Sequence, residues 1–211
     1  MRLDLHVHTY ASGDSTTRPE ELAARIGPDD VIAVTDHHAI VAAREVAALV
    51  PGQVIVGEEI DTGAGELIGL GLDARVPPRA GLLETARRIR DLGGLVLAPH
   101  PTDPARRGLG RAGLERLADD GLLDLVEVAN AKRVAWDREA ALVARERGIT
   151  QVAASDAHVP EALFASYVEV AGPRCEIRGL TELLALLARG ALRHAPRDPV
   201  RPWPRPVVPG S

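Results

Sequence analysis

The sequence predicts an α/β protein with a mostly parallel sheet. Short runs rich in Val, Ile and Leu alternate with Ala/Arg/Glu/Leu stretches at helical spacing. Six or seven such strand-helix units fit into 211 residues, which suits a barrel better than a short open sheet. The chemically active side chains also gather at predicted strand ends, the side of a parallel barrel where sites are built.

The elements follow in order. "RLDLHVH" (2–8) alternates as a strand should. "PEELAARI" (19–26) reads as a helix with Pro19 in its first turn, where the missing N–H costs nothing. "DVIAVTD" (30–36) is a strand and "IVAAREVAAL" (40–49) a helix. "QVIVGEEID" (53–61) and "GELIGLGL" (65–72) are consecutive strands joined by the turn-prone "TGAG". "GLLETARRIRDLG" (81–93) is a helix closed by Gly93 and Gly94. Next come strand "GLVLAPH" (94–100), helix "GLERLADDG" (113–121) and strand "LDLVEVAN" (123–130). Helix "AWDREAALVARERG" (135–148) and strand "TQVAASDAH" (150–158) follow. After "ASYVEV" (165–170) a last helix is expected over "LTELLALLARGAL" (180–192). One domain is expected over 1–194, with 173–194 as a C-terminal helical element. The tail, 195–211, has prolines at 196, 199, 202, 204, 206 and 209 and reads as an extended arm without a catalytic role.

Apolar residues make up 45% of the chain and aromatics 2%, so the core must be aliphatic. The net charge of −5 and the lack of a long basic run disfavour sequence-independent binding to duplex nucleic acid. A nucleotide as a small substrate stays open, as does the oligomeric state. Cys175 is the only cysteine, which excludes an internal disulfide framework and suits the cytoplasm. The opening residues have no apolar signal-peptide core, and no apolar run is long enough to span a membrane. Lys132 is the only lysine.

His6 and His8 stand one residue apart in the first strand. Strand residues i and i+2 share a face, so both imidazoles aim at one point, with Leu5 and Val7 expected on the other face. The later strands end in "TDHH" (35–38), "GEEI" (57–60), "APHP" with His100, "EVAN" with Glu127 and Asn130, and "ASDAH" with Asp156 and His158. Six of the seven histidines lie at or just after a predicted strand end; His194 does not, and is expected in solvent. Imidazole and carboxylate without thiolate suit Zn²⁺, Mn²⁺ or Fe²⁺. So many ligand-type residues fit a cluster of two or three ions with one bridging carboxylate, an arrangement suited to phosphoryl transfer.

The ordered motifs "DLHVHTYASGDS", "VIAVTDHH", "VGEEI", "LAPHP", "VEVANAK" and "AASDAH" resemble those of the PHP (polymerase and histidinol phosphatase) family, in its short single-domain type. The resemblance implies a distorted (β/α)7 barrel, a trinuclear or dinuclear metal centre and hydrolysis of phosphate esters. By it, His6, His8, Asp156 and Glu59 are expected around a first metal, with Glu59 bridging to a second that His100 also binds. Asp14, His37 and His158 are expected around a third. The family pattern Gly-x-Glu, counted from Gly57, selects Glu59 over Glu58, which is expected to face away. Two departures stand out. Asp14 falls six residues past His8, where many relatives have five. Glu66 stands where many relatives carry another histidine, and is expected to replace it as a ligand.

The resulting expectation is a metal-dependent phosphatase or phosphoesterase acting on a small phosphorylated metabolite or nucleotide. A metal-bridged hydroxide would attack phosphorus, with His37, His158 or a metal-bound water available to protonate the leaving group. Arg106, Arg107 and Lys132 are read either as solvated surface or as phosphate-binding groups. Asp36 is read as a partner of the ligands, His38 as pocket lining, Glu127 and Asn130 as orienting residues, and Arg18 and Cys175 as structural. Alternative activities are a cyclic phosphodiesterase, an exonuclease trimming nucleic-acid ends, or an amidohydrolase-type C–N hydrolase.

Overall fold

A computed structural model describes residues 1–51, 53–172 and 175–195. Seven strands run in chain order around one sheet: β1 (Arg2–Val7), β2 (Asp30–Val34), β3 (Val54–Thr62), β4 (Gly65–Leu70), β5 (Leu95–Ala98), β6 (Leu125–Asn130) and β7 (Thr150–Ala154). The sheet nearly closes on itself. Val7 forms a parallel bridge to Ala157 just beyond β7, and the His8 N–H donates to the Ala157 carbonyl at 2.9 Å. The architecture is thus an α/β barrel. Two further strands, β8 (Ser166–Glu169) and β9 (Ala191–His194), continue the sheet beyond the lower end of β1.

The helices are α1 (Pro19–Ala23), α2 (Val41–Leu49), α3 (Leu82–Asp91), α4 (Gly110–Asp119), α5 (Arg138–Arg147) and α6 (Leu180–Ala188). Their apolar faces cover the outside of the sheet. On α3, Leu82, Ala86 and Ile89 recur at helical spacing and are buried against Ile60, Leu67 and Val96. The Asp137 carboxylate caps α5 by accepting from the Ala140 N–H at 3.0 Å, and also accepts from the Thr102 hydroxyl at 2.6 Å. One side chain therefore fixes both the start of α5 and the loop after β5.

The barrel interior holds Leu3, Leu5, Val31, Ala33, Ile68, Leu70, Leu95, Leu97, Leu125 and Val152. Leu183, Leu186 and Leu187 of α6 pack into the same cluster. These aliphatic residues sit toward the start of the parallel strands, so α6 stoppers that end and leaves the strand C-termini open.

Several expectations change. The sheet is mixed: β3, β4 and β5 run antiparallel to their neighbours in that stretch. The Gly63–Ala64 turn is too short to cross over, and only antiparallel strands accept so tight a link. Leu5 does not face away from the histidines. The β1–β2 register shifts between Asp4 and Val7, so Leu5 joins Leu3 inside the barrel while Val7 packs with Leu22, Val34 and Val46 outside. Residues 173–194 are not simply helical: α6 stops at Ala188, and "ALRH" forms β9 against β8. Gly190 makes the reversal possible, since a Cβ there would lie 2.2 Å from Val168 Cγ1. His194 accordingly sits at a strand end, half-buried, with Nδ1 2.7 Å from the Ser166 hydroxyl. The proline-rich segment from 196 on lies outside the described residues.

Candidate metal centre

The side chains expected to meet at the open end do so. His6 and His8 enter from β1, Glu59 from β3, Glu66 from β4, and His37, His100, Asp156 and His158 from the turns just past β2, β5 and β7. Asp14 comes from the loop between β1 and α1. His100 and Asp156 adopt positive φ angles of 29° and 52°, and His38 beside His37 has 54°. Such backbone is costly for non-glycine residues and aims side chains where an extended strand end would not.

Four donor atoms form the centre of the cluster. His6 Nε2 and His8 Nε2 are 2.9 Å apart. Each is 3.2 Å from Glu59 Oε2, and they lie 3.6 and 3.5 Å from Asp156 Oδ1. Ligands placed tetrahedrally around one ion at metal–nitrogen bond lengths stand roughly 3.4 Å apart. Two imidazoles and two carboxylates therefore already have the edges of a coordination polyhedron, and they are almost fully buried. A core has no use for such a group; a divalent cation does.

The tautomer of His6 is fixed in the same sense. Its Nδ1 lies 3.1 Å from Glu127 Oε2, which accepts a hydrogen bond from it, so a neutral His6 turns the Nε2 lone pair to the cluster. Glu127 is in turn held by the Asn130 amide. His8 Nδ1 is 2.7 Å from the Ser12 hydroxyl, which also accepts from the His37 N–H at 2.9 Å. Asp36 accepts from the N–H and hydroxyl of Thr9 at 2.6 and 2.7 Å, pinning the chain directly after His8.

Around this centre stand two flanks. Toward β4 and β5, His100 Nε2 lies 3.1 Å from Glu59 Oε1 and 3.9 Å from Glu66 Oε2. Toward solvent, Asp14 Oδ2 sits between His158 Nε2 at 2.9 Å and His37 Nε2 at 3.6 Å. Among the described residues, the groups with the spacing to hold an ion are His6–His8–Glu59, His6–His100–Asp156, His8–Asp14–His37–His158 and His37–Glu59–Glu66.

The electrostatics fit this reading. Burial alone pushes the Glu59 carboxyl up, but the charge on His6 and the bonds from His100, His6 and His8 outweigh it and hold it well below the usual range. Burial likewise raises Asp156, and Lys132, His6, His8 and Arg106 together bring it well below. His6 is disfavoured as a cation by burial, yet Asp156, Glu59 and Glu127 raise its proton affinity far above normal. A proton on His6 answers the same demand for positive charge that a metal ion would meet. Burial lowers His37, and its bond to Asp14 and the charge of Glu59 more than reverse this, taking it to about 9. Burial and His8 lower His158. Glu66 is raised by burial and by Glu59.

Of the three basic residues, two reach the mouth. Lys132 Nζ donates to Asp156 Oδ1 at 2.8 Å and lies 3.0 Å from His158 Nδ1. Arg106 donates to Asp156 Oδ2, to Asn130 Oδ1 at 2.9 Å and to Asp103 at 2.9 Å. Arg107 borders the same cavity, but its guanidinium pairs with Asp61 at 2.7 Å and is 59% exposed. The cavity holds about 200 Å³. Glu58 faces away from it: its carboxylate is fully buried and accepts from the Val76 N–H at 2.7 Å. His38 lines a neighbouring groove with Arg44 and Arg75. Arg18 starts α1, away from the cluster, and Cys175 packs partly buried near α6. Sequence reading did not single out Ser12, Thr9 or Asp103. Their side chains are common in loops, and only the fold brings them against the ligands.

Comparison with known proteins agrees with this picture. A family model described as PHP-associated matches residues 135–192. Uncharacterized protein MJ1587 of Methanocaldococcus jannaschii is 37% identical over 146 residues, which cover 62% of this chain and 82% of that protein. The fold resembles a two-domain protein of Bacteroides vulgatus containing a predicted PHP-like metal-dependent phosphoesterase, with TM-score 0.72 and 18% identity. That match covers 92% of this chain and 64% of the two-domain chain. It also resembles an amidohydrolase of Chromobacterium violaceum solved with bound sulfate and no metal, with TM-score 0.64, 19% identity, and coverage of 91% of this chain and 98% of that one.

Proposed function

From the membership of this chain in the PHP family, a family of metal-dependent hydrolases, we propose that it is a phosphoesterase acting on a small phosphorylated metabolite or nucleotide. The observation that carries the phosphate reading is the placement of Lys132 and Arg106. Both cations touch Asp156 on the open side of the ligand cluster, where they meet an incoming anion. Arg106 offers a planar fork suited to phosphoryl oxygens, and Lys132 a point charge beside it. A cavity of about 200 Å³ is small for a whole ligand and suits a phosphoryl group whose organic part stays outside.

His6, His8, Glu59 and Asp156 would hold one ion, His100 and Glu66 would share Glu59 with a second, and Asp14, His37 and His158 would hold a third. Zn²⁺, Mn²⁺ and Fe²⁺ all suit these donors. When bound, such ions supply an activated water near neutral pH and neutralise charge on the phosphoryl oxygens. The chain's own residues do the rest. Glu59, whose two oxygens face His6 and His100 respectively, would serve both of the first two positions. Glu127 and Ser12 keep the β1 imidazoles oriented. Arg106 and Lys132 grip the phosphoryl oxygens, and His37 or His158, at the solvent edge, can give a proton to the departing oxygen only while the third position is empty. Arg107 takes part only by leaving Asp61, and we assign it a secondary role.

The test is a panel of phosphomonoesters, cyclic phosphodiesters, oligonucleotides and amides offered to Mn²⁺-loaded protein. The reading requires release of inorganic phosphate from monoesters, with Lys132→Met and Arg106→Met raising KM tenfold or more, about 1.4 kcal/mol each. Turnover of amides alone would replace it with the C–N hydrolase reading.

A further inference from the structure

The candidate ion positions differ in donor chemistry. His8–Asp14–His37–His158 has three imidazoles and one carboxylate, and His6–His100–Asp156 and His6–His8–Glu59 each have two imidazoles and one carboxylate. Only the sets that include Glu66 reverse the balance: with Glu59 they have two carboxylates and one imidazole, whether the ring is His37 or the His100 assigned above to the second ion.

Glu66 is held in place by its backbone, not by its side chain. Its N–H donates to the Arg107 carbonyl at 2.8 Å. The preceding Gly65, at φ 135°, lies so close to that loop that a Cβ would fall 2.8 Å from the same carbonyl. Glu66 pairs with Asp61 across the β3–β4 ladder, placing it on the inward face that also carries Glu59. Its carboxylate accepts no hydrogen bond among the described residues, and His100 Nε2 stands 3.9 Å from it. A largely buried carboxylate beside a second carboxylate, with no donor of its own, needs a cation.

We infer that the Glu59–Glu66 corner is the hard-cation position of this centre, where Mn²⁺ or Mg²⁺ competes best against Zn²⁺. Oxygen donors favour these ions, while the imidazole-rich positions favour Zn²⁺ or Fe²⁺. The affinity order still runs from Mn²⁺ to Zn²⁺ at every position, so the claim concerns the difference between positions. The inference rests on the reading of the mouth as a metal centre, and adds that the protein works with a mixed complement.

The test uses full-length wild type, Glu66→Gln and Glu66→His, each stripped of metal and re-equilibrated with zinc and a large excess of manganese. Metal per chain is measured by mass spectrometry and bound Mn²⁺ by electron paramagnetic resonance. Wild type should retain manganese at one position alongside zinc. Glu66→Gln should lose the manganese and keep the zinc. Glu66→His should keep the total but exchange manganese for zinc, shifting the preference about tenfold or more. Circular dichroism confirms that each variant is folded. Wild type loaded with zinc alone, or Glu66→Gln that keeps its manganese, overturns the inference while leaving the metal centre standing. Wild type that takes up no metal at all overturns both.

Discussion

Adjacent glutamates in β3 have opposite fates, and this is the sharpest test at the scale of single residues. Glu59 touches His6, His8 and His100 within 3.2 Å, whereas Glu58 lies outside the barrel under the Val76 N–H. Glu59→Gln keeps the shape but loses charge and one anionic oxygen. It should lower kcat by 10²-fold or more, roughly 3 kcal/mol, and reduce metal content. Glu58→Gln should leave metal content and kcat near wild type and show its effect in thermal stability. Metal analysis and phosphate release on both variants check this; an inactive Glu58→Gln beside an active Glu59→Gln would reverse the assignment. Strand alternation says only that the two face opposite ways; the choice of Glu59 comes from the resemblance to the family pattern Gly-x-Glu, counted from Gly57. The role of Glu127 was only half legible: an acidic strand-end residue is visible, but its bond to a ring 121 positions away is not. Arg106 and Arg107 were indistinguishable as neighbours in one loop, and only the loop's folded path turns one inward and the other toward Asp61.

At the scale of elements, α6 and β1 show what holds the mouth in shape. Leu183 of α6 is fully buried in the cluster at the closed end. Leu183→Ala should cost about 2–5 kcal/mol, measured by urea unfolding, with metal content and kcat/KM per folded molecule unchanged. A large loss of activity in the folded variant would show that the stopper is coupled to the site. On β1, Asp4 is fully buried and accepts from the N–H groups of Ser155 and Phe164 at 2.9 and 3.0 Å. Burial raises its carboxyl to about 6, against these bonds and the charge of His6. A folded pKa above the unfolded one means the native state holds the proton more tightly. The resulting stabilisation is present below about pH 4 and lost as pH rises through about 6. The stability of metal-free wild type relative to Asp4→Asn should therefore fall by about 2.5 kcal/mol between pH 4 and pH 7. A difference independent of pH would show that Asp4 titrates as an ordinary carboxyl. Most strands and helices were legible from periodicity, but β9 was not. "GALRH" continues the leucine spacing of α6, and the close approach of Gly190 to β8 is a property of the packed sheet.

Across the whole molecule, the ligands tie together strands that are far apart in sequence. Ions held at the proposed centre would bind only the assembled mouth, so removing them should destabilise the fold. At ion concentrations 100 times the dissociation constant the loss is about 2.7 kcal/mol. A chelator should thus lower Tm by roughly 5–10 °C, restored on adding metal. An unchanged Tm in protein shown to have released its metal would mean the mouth is held open by the chain alone. The placement of β1 bears on how the chain reaches this state. One edge pairs with β2 from Arg2 to Val7; on the other edge Val7 bridges to Ala157, Arg2 and Leu3 pair with β8, and the Met1 ammonium meets the Val170 carbonyl at 3.0 Å. Strand β1 is thus a seam whose second side is supplied by residues far along the chain. Until residues 156–158 emerge, His6 and His8 have no Asp156 or His158 to complete their cluster, and until residues near 170 emerge the lower end of β1 lacks β8. During synthesis β1 must wait as an unpaired edge, with loop closure over most of the chain still ahead. Barrel closure should therefore be the late event of folding, and metal capture should report its completion.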